Sequence, residues 1–241
     1  MKSLFFLAAA LPLFAGDFEN FTDNSLNYTQ RNEACVALRG NKTPEVRAAM
    51  RSALGNVSLQ SCAAMNLRIV GFAEDLAGAL EDRDPGTRAV AARELGVMAK
   101  PEYLPALRKV AEDHDLLVAS NAIEGLVMYE DHSSAPQLRE IAMKSGLMTS
   151  LAFNALVGWN DPQVANIARK LIMGTDPGDQ LVGVRAIGMV GNATDLPRLR
   201  ELAKDDEKIS SGARGFGFMP AITISKAAKF AIQSIEQRAA R

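Results

Sequence analysis

The chain repeats itself with a period of about 31 residues, and that period decides what it can fold into. Asp84, Asp115, Ser145 and Asp176 stand 31, 30 and 31 residues apart. Seven residues after each anchor comes a small one: Ala91, Ala122, Ala152 and Gly183. The next position is apolar in every copy (Ala92, Ile123, Phe153, Val184), and so is the one three further on (Leu95, Leu126, Leu156, Ile187). The second half of the unit is equally regular. Leu104, Ala135, Ala165 and Leu196 open it; Leu107, Leu138, Ala168 and Leu199 follow three residues later; Val110, Ile141, Leu171 and Leu202 come three after those. Such spacing paints one face of a 3.6-residue helix. Pro105, Pro136 and Pro197 fall in the first turn of that helix, where a missing N–H costs nothing. Each unit therefore predicts two helices and two short turns. One helix pair cannot bury its own apolar face, so the units must stack. The expected fold is all-α, a right-handed α-solenoid of antiparallel helix pairs. Ala221 to Ile224 is the one run with a β-like look, and it is four residues long.

The phrase Asp84-Pro85-Gly86-Thr87-Arg88, followed by Ala91-Ala92 and Leu95-Gly96, resembles the opening of HEAT-like repeats of the phycobilin-lyase type. Asp176-Pro177 with Ala186-Ile187-Gly188 echoes it, as does Asn160-Asp161-Pro162. The resemblance spans about residues 43–205 and is strongest over 82–205. It implies the fold and leaves function open, since such repeats serve binding and catalysis alike. The iron-dependent hydroxylases built on HEAT-like repeats use His-Glu pairs, which this chain lacks.

The ends depart from the period, as capping units of a stacked array do. Residues 1–16 have the form of a signal peptide. Lys2 precedes an apolar run from Leu4 to Ala15, too short to span a hydrocarbon core of about 30 Å, with small residues Ala15 and Gly16 at the exit. An uncleaved anchor is the competing reading. Residues 17–31 are polar and predict a loose arm. Residues 32–81 predict N-terminal capping helices at 32–39, 43–54, 58–70 and 73–81, with Thr43-Pro44-Glu45 as a strong helix start. Repeats fill 82–205, and 206–241 form a C-terminal capping unit closed by a helix from Ser225 to Gln237. The expected location is periplasmic or secreted, without membrane insertion once the signal is removed. Cys35 and Cys62, the only cysteines, suit that compartment as a disulfide; two buried free thiols are the alternative.

Position 24 of every unit is arginine: Arg108, Arg139, Arg169 and Arg200. The next residue alternates in sign: Lys109, Glu140, Lys170, Glu201. Two readings compete. One is a structural ladder of opposite charges on neighbouring repeats; the other is a strip recognising anionic ligands, carboxylates or phosphates, on a concave face. The stretch 212–219, with Phe216 and Phe218 among glycines, either plugs the open end of the core or inserts into a partner. Trp159 is expected to pack in the core rather than stack on a ligand. His114 and His132 flank one helix and are too far apart to share an ion, so each is expected to be a solvated turn residue.

No nucleophile–base set or zinc-protease motif is present. The net charge of −1 argues against a nucleic-acid partner. The expectation is a non-enzymatic exported scaffold that binds a protein or peptide, with no cofactor and no metal. The alternative is an enzyme or enzyme accessory using a groove carboxylate and the loop 212–219.

Overall fold

Aspartate recurs at the start of the repeat because it begins a helix. The Asp84 carboxylate accepts the Thr87 N–H at 2.7 Å, Asp115 accepts those of Leu117 and Val118 at 2.9 and 3.2 Å, and Asp176 accepts that of Asp179 at 2.9 Å. Each satisfies donors that a helix leaves unpaired at its first turn. The fourth anchor, Ser145, lies outside the described residues. The computed structural model describes residues 15–129, 132–144, 148–204 and 223–240. Among these it is all-α, of the α-solenoid class, and it divides into two units, Met1–Tyr129 and Glu130–Arg241.

The first unit contains α1 (Ala15–Thr22), α2 (Tyr28–Ala37), α3 (Pro44–Ala53), α4 (Gln60–Val70), α5 (Ala73–Ala79), α6 (Pro85–Met98), α7 (Leu104–Val110) and α8 (Leu116–Val127). The second contains α9 (Ala135–Met143), α10 (Thr149–Gly158), α11 (Val164–Met173), α12 (Pro177–Val190), α13 (Leu196–Leu202) and α14 (Ile224–Ala239). Short 3-10 turns lead into α7, α9 and α13, where the repeat prolines sit.

The repeat positions are the core. Leu95, Leu126, Leu156 and Ile187 are fully buried, as are Leu107, Leu138, Ala168 and Leu199. The small residues let helices approach. α6 and α8 meet at Gly96 and Gly125, where a Cβ on Gly96 would stand 2.4 Å from the Gly125 Cα. The obstacle is backbone, so the helices must move apart to admit a methyl group. Gly96→Ala is therefore expected to lower the unfolding free energy by about 2 kcal/mol in a urea titration, despite alanine's better helix propensity. An unchanged or raised midpoint would show that the crossing is loose.

The N-terminal arm is not loose. α1 and α2 occupy residues 15–37, with Phe21 buried at 2% exposure and its carbonyl accepting Arg31 Nε at 3.0 Å. Asn27 and Gln30 form a capping box that starts α2 four residues earlier than the periodicity suggests. Polar composition masked a short helix that buries Phe21 and half-buries Phe18. α3 to α5 fall close to the expected segments, and Thr43 caps α3 with Pro44 in its first turn. Cys35 on α2 and Cys62 on α4 are joined as a disulfide, Cα to Cα 6.4 Å. Residues 1–14, most of the segment expected to be a signal peptide, lie outside the described residues. In the C-terminal cap, Thr223 is the N-cap of α14, and Ser225 is buried with its hydroxyl donating to the Ala203 carbonyl at 2.8 Å.

Candidate functional site

The repeat arginines of the second unit are held by carboxylates of the following repeat. Arg139 on α9 donates from Nε and Nη2 to Asp161, which lies in the turn before α11, the closest contact being 2.5 Å. Arg169 on α11 donates from Nε to Asp195 at 2.8 Å and from Nη2 at 3.2 Å. Arg200 on α13 reaches Glu236 on α14 at 3.3 Å, with both side chains more than half exposed. Arg108 stands half-buried on α7 in the first unit. The alternating charges do not pair from repeat to repeat as expected. Lys109 bonds Glu81 at 3.0 Å, and Glu201 bonds Arg198 one turn earlier on its own helix at 3.0 Å. In both cases a nearer carboxylate or guanidinium takes the partner.

The first unit has a comparable pair that the arginine spacing did not reveal. Arg88 on α6 grips Asp113 through Nε and Nη2 at 2.9 and 3.0 Å, and its Nη1 donates to the Asp82 and Arg83 carbonyls. Arg88 is visible in the sequence as the end of the Asp-Pro-Gly-Thr-Arg phrase. In two of the three later repeats the equivalent position does a similar job, Thr149 Oγ1 donating to the Lys144 carbonyl at 2.7 Å and Gln180 Nε2 to the Gly174 carbonyl at 2.6 Å, whereas in the other it is Ala119.

Burial pushes the Asp113, Asp161 and Asp195 carboxyls upward, but arginine and backbone N–H bonds outweigh it and hold all three below the ordinary carboxylate range. The folded chain then binds fewer protons than the unfolded chain. The resulting stability is present above the unfolded carboxylate pKa of about 4 and is lost as pH falls through the lower folded values. Thermal midpoints are expected to drop on acidification below about pH 4, and less steeply in Asp195→Asn. An identical acid slope in that variant would rule out the assignment.

Above the ion pairs, α9 and α11 enclose an open groove of about 480 Å³, lined by Arg139, Met143, Gln163, Ile167, Arg169 and Lys170. Lys170 is exposed, with its Nζ 3.7 Å from the Met143 sulfur. Asp161 and Asp195 neutralise Arg139 and Arg169, while Lys170 forms no salt bridge among the described residues and shares the neighbouring depression with Asp176 and Asp179. The groove thus combines a cation with soft, adaptable thioether surface.

Of the other sequence candidates, Phe216 and Phe218, with the whole stretch 212–219, lie outside the described residues. Trp159 is not core. It is the half-buried C-cap of α10, and its ring stacks on His132 with centroids 4.6 Å apart and an interplanar angle of 11°. His132 is exposed in the turn that leads into α9, as expected, and there it serves Trp159 as an aromatic partner. Asn160 takes a left-handed φ of 52°, ending α10 and delivering Asp161 into its buried position. His114 is exposed beside Asp113 at 3.3 Å. Among the described residues no cluster of His, Cys, Asp or Glu is arranged to hold a metal ion, and no helix is long and apolar enough to cross a membrane.

A family model described as HEAT repeats matches residues 73–146. No curated protein matches the sequence. Among solved structures, the CpcE–CpcF complex of phycocyanin lyase from Nostoc sp. PCC7120 aligns at 16% identity over 98% of this chain and 99% of that one, with a TM-score of 0.47. Human deoxyhypusine hydroxylase aligns at 15% identity over 93% and 96%, with a TM-score of 0.44.

Proposed function

We infer, for a chain that carries HEAT repeats, that it is an exported scaffold which docks a polypeptide segment on the face made by its second helices, without catalysing a reaction. The observation that carries this reading is the α9–α11 groove. It brings Arg139 and Arg169, equivalent residues of successive repeats, onto one surface, and it sets Lys170 and Met143 between them. A broad open groove of mixed cationic and apolar character suits an extended polypeptide. The half-buried Asp113 and the buried Asp161 and Asp195 are kept ionised by arginine, which suits structural roles and leaves them without a proton to donate at neutral pH. The apolar run from Leu4 to Ala15 and the Cys35–Cys62 bond support placement in an oxidising compartment outside the cytoplasm.

Selection of a random dodecapeptide library on the immobilised chain tests the reading. Enriched peptides are expected to lose at least tenfold in affinity for Lys170→Glu, with the thermal midpoint unchanged. Failure to enrich any peptide, or equal binding to Lys170→Glu, would overturn it.

A further inference from the structure

α12 and α14 lie side by side in the second unit, joined where Gly188 meets Ala231: a Cβ on Gly188 would stand 3.2 Å from the Ala231 Cα. Arg238 fastens the pair from the C-terminal side, its Nη1 and Nη2 donating to the Gly188 and Gly191 carbonyls at 2.6 and 3.0 Å. The core face of α14 is Ile224, Ala227, Ala228, Ala231 and Ile235. Phe230 falls off that face and is 71% exposed, opposite Met189 on α12 at 58%. Between them is a groove of about 290 Å³ floored by Gly188, Ala227 and Ala231 and rimmed by Arg185 and Lys226. Its lining holds two cations and no carboxylate, and neither Arg185 nor Lys226 forms a salt bridge with a described residue. A phenylalanine and a methionine left in water beside two positive charges that have no salt-bridge partner among the described residues form a surface with a definite complement.

We propose that the α12–α14 groove is a second docking site, and that its occupant is an acidic segment of a partner polypeptide presenting a bulky apolar side chain between carboxylates. The apolar side chain enters between Met189 and Phe230, over the small-residue floor, and the flanking carboxylates meet Arg185 and Lys226. The volume accommodates one or two large side chains, so specificity comes from the charges on either side. The inference rests on the reading of the chain as a polypeptide-binding scaffold and assigns a partner chemistry to a different groove.

The probe is a fluorescein-labelled peptide with Leu-Phe at its centre and three glutamates on each side, read by anisotropy against the full chain. Saturable binding is expected. It should weaken at least tenfold when Arg185 and Lys226 are both replaced by Glu, and to a similar degree for Phe230→Ala. Replacing the glutamates of the probe by glutamine, or its Leu-Phe by Ala-Ala, should also abolish it. These residues are exposed, so the unfolding midpoint should not move, which separates lost binding from lost fold. Binding that survives the double charge reversal, or no binding at millimolar chain, overturns the proposal. If Lys170→Glu alone abolishes the probe, polypeptide docking stands and the α12–α14 site falls. Self-association that disappears in Phe230→Ala, seen by sedimentation velocity, would assign the groove to a second copy of the chain and likewise overturn it.

Discussion

Replacing Arg139 by methionine is expected to lower the unfolding free energy by about 3 kcal/mol. The methionine keeps most of the packing volume but removes the guanidinium from Asp161, whose side chain is only 4% exposed. Asp161 would retain the backbone N–H of Gln163 at 2.9 Å and nothing else of comparable strength. A carboxylate stranded in that position must either stay charged without a counterion or take up a proton, and both weaken the fold. Arg200→Met, by contrast, opens a pair with Glu236 that water already reaches, and should cost less than about 1 kcal/mol. Adding Asp161→Asn to Arg139→Met removes the stranded charge and should recover part of the loss. Urea titration of the three variants checks the order. A loss below about 1 kcal/mol for Arg139→Met would mean the pair relaxes into solvent, leaving that arginine available for recognition.

Removing the Cys35–Cys62 bond is expected to cost about 3.5 kcal/mol, from the loop-closure entropy of a 27-residue separation. The bond ties α2 to α4 in the cap that precedes the first full repeat, where neighbours protect one side only. Asn66 reinforces it, with Nδ2 donating to the Cys35 carbonyl at 2.9 Å and the Cys62 carbonyl at 3.2 Å. The Cys35→Ala, Cys62→Ala double variant, and the parent chain under reductant, should show similar falls in urea midpoint. Hydrogen exchange should rise first in α2 to α4. A change below about 1 kcal/mol in both would show that packing alone holds the cap together.

Local chemistry was legible in the residues. The aspartates that start α6, α8 and α12, the prolines that open α7, α9 and α13, and the apolar periodicity between them all act within a turn or two of helix, so their meaning survives without knowing the neighbours. The Asn27–Gln30 capping box was equally local, but polar composition outweighed it. The proposed export rests on the apolar run from Leu4 to Ala15, which the sequence alone carries, and on the Cys35–Cys62 bond. Tertiary structure decided what crosses between helices. Arg139 finds Asp161 at a separation of 22 residues, Arg169 finds Asp195 at 26, and Arg200 finds Glu236 at 36. No fixed sequence offset announces such partners, because turn lengths set which carboxylate comes within reach. For the same reason the Trp159–His132 stack, the Gly96–Gly125 contact and the exposure of Phe230 become visible only when two helices are placed side by side. A periodic pattern states which side of a helix is apolar; only the neighbouring helix decides how much of that side is covered.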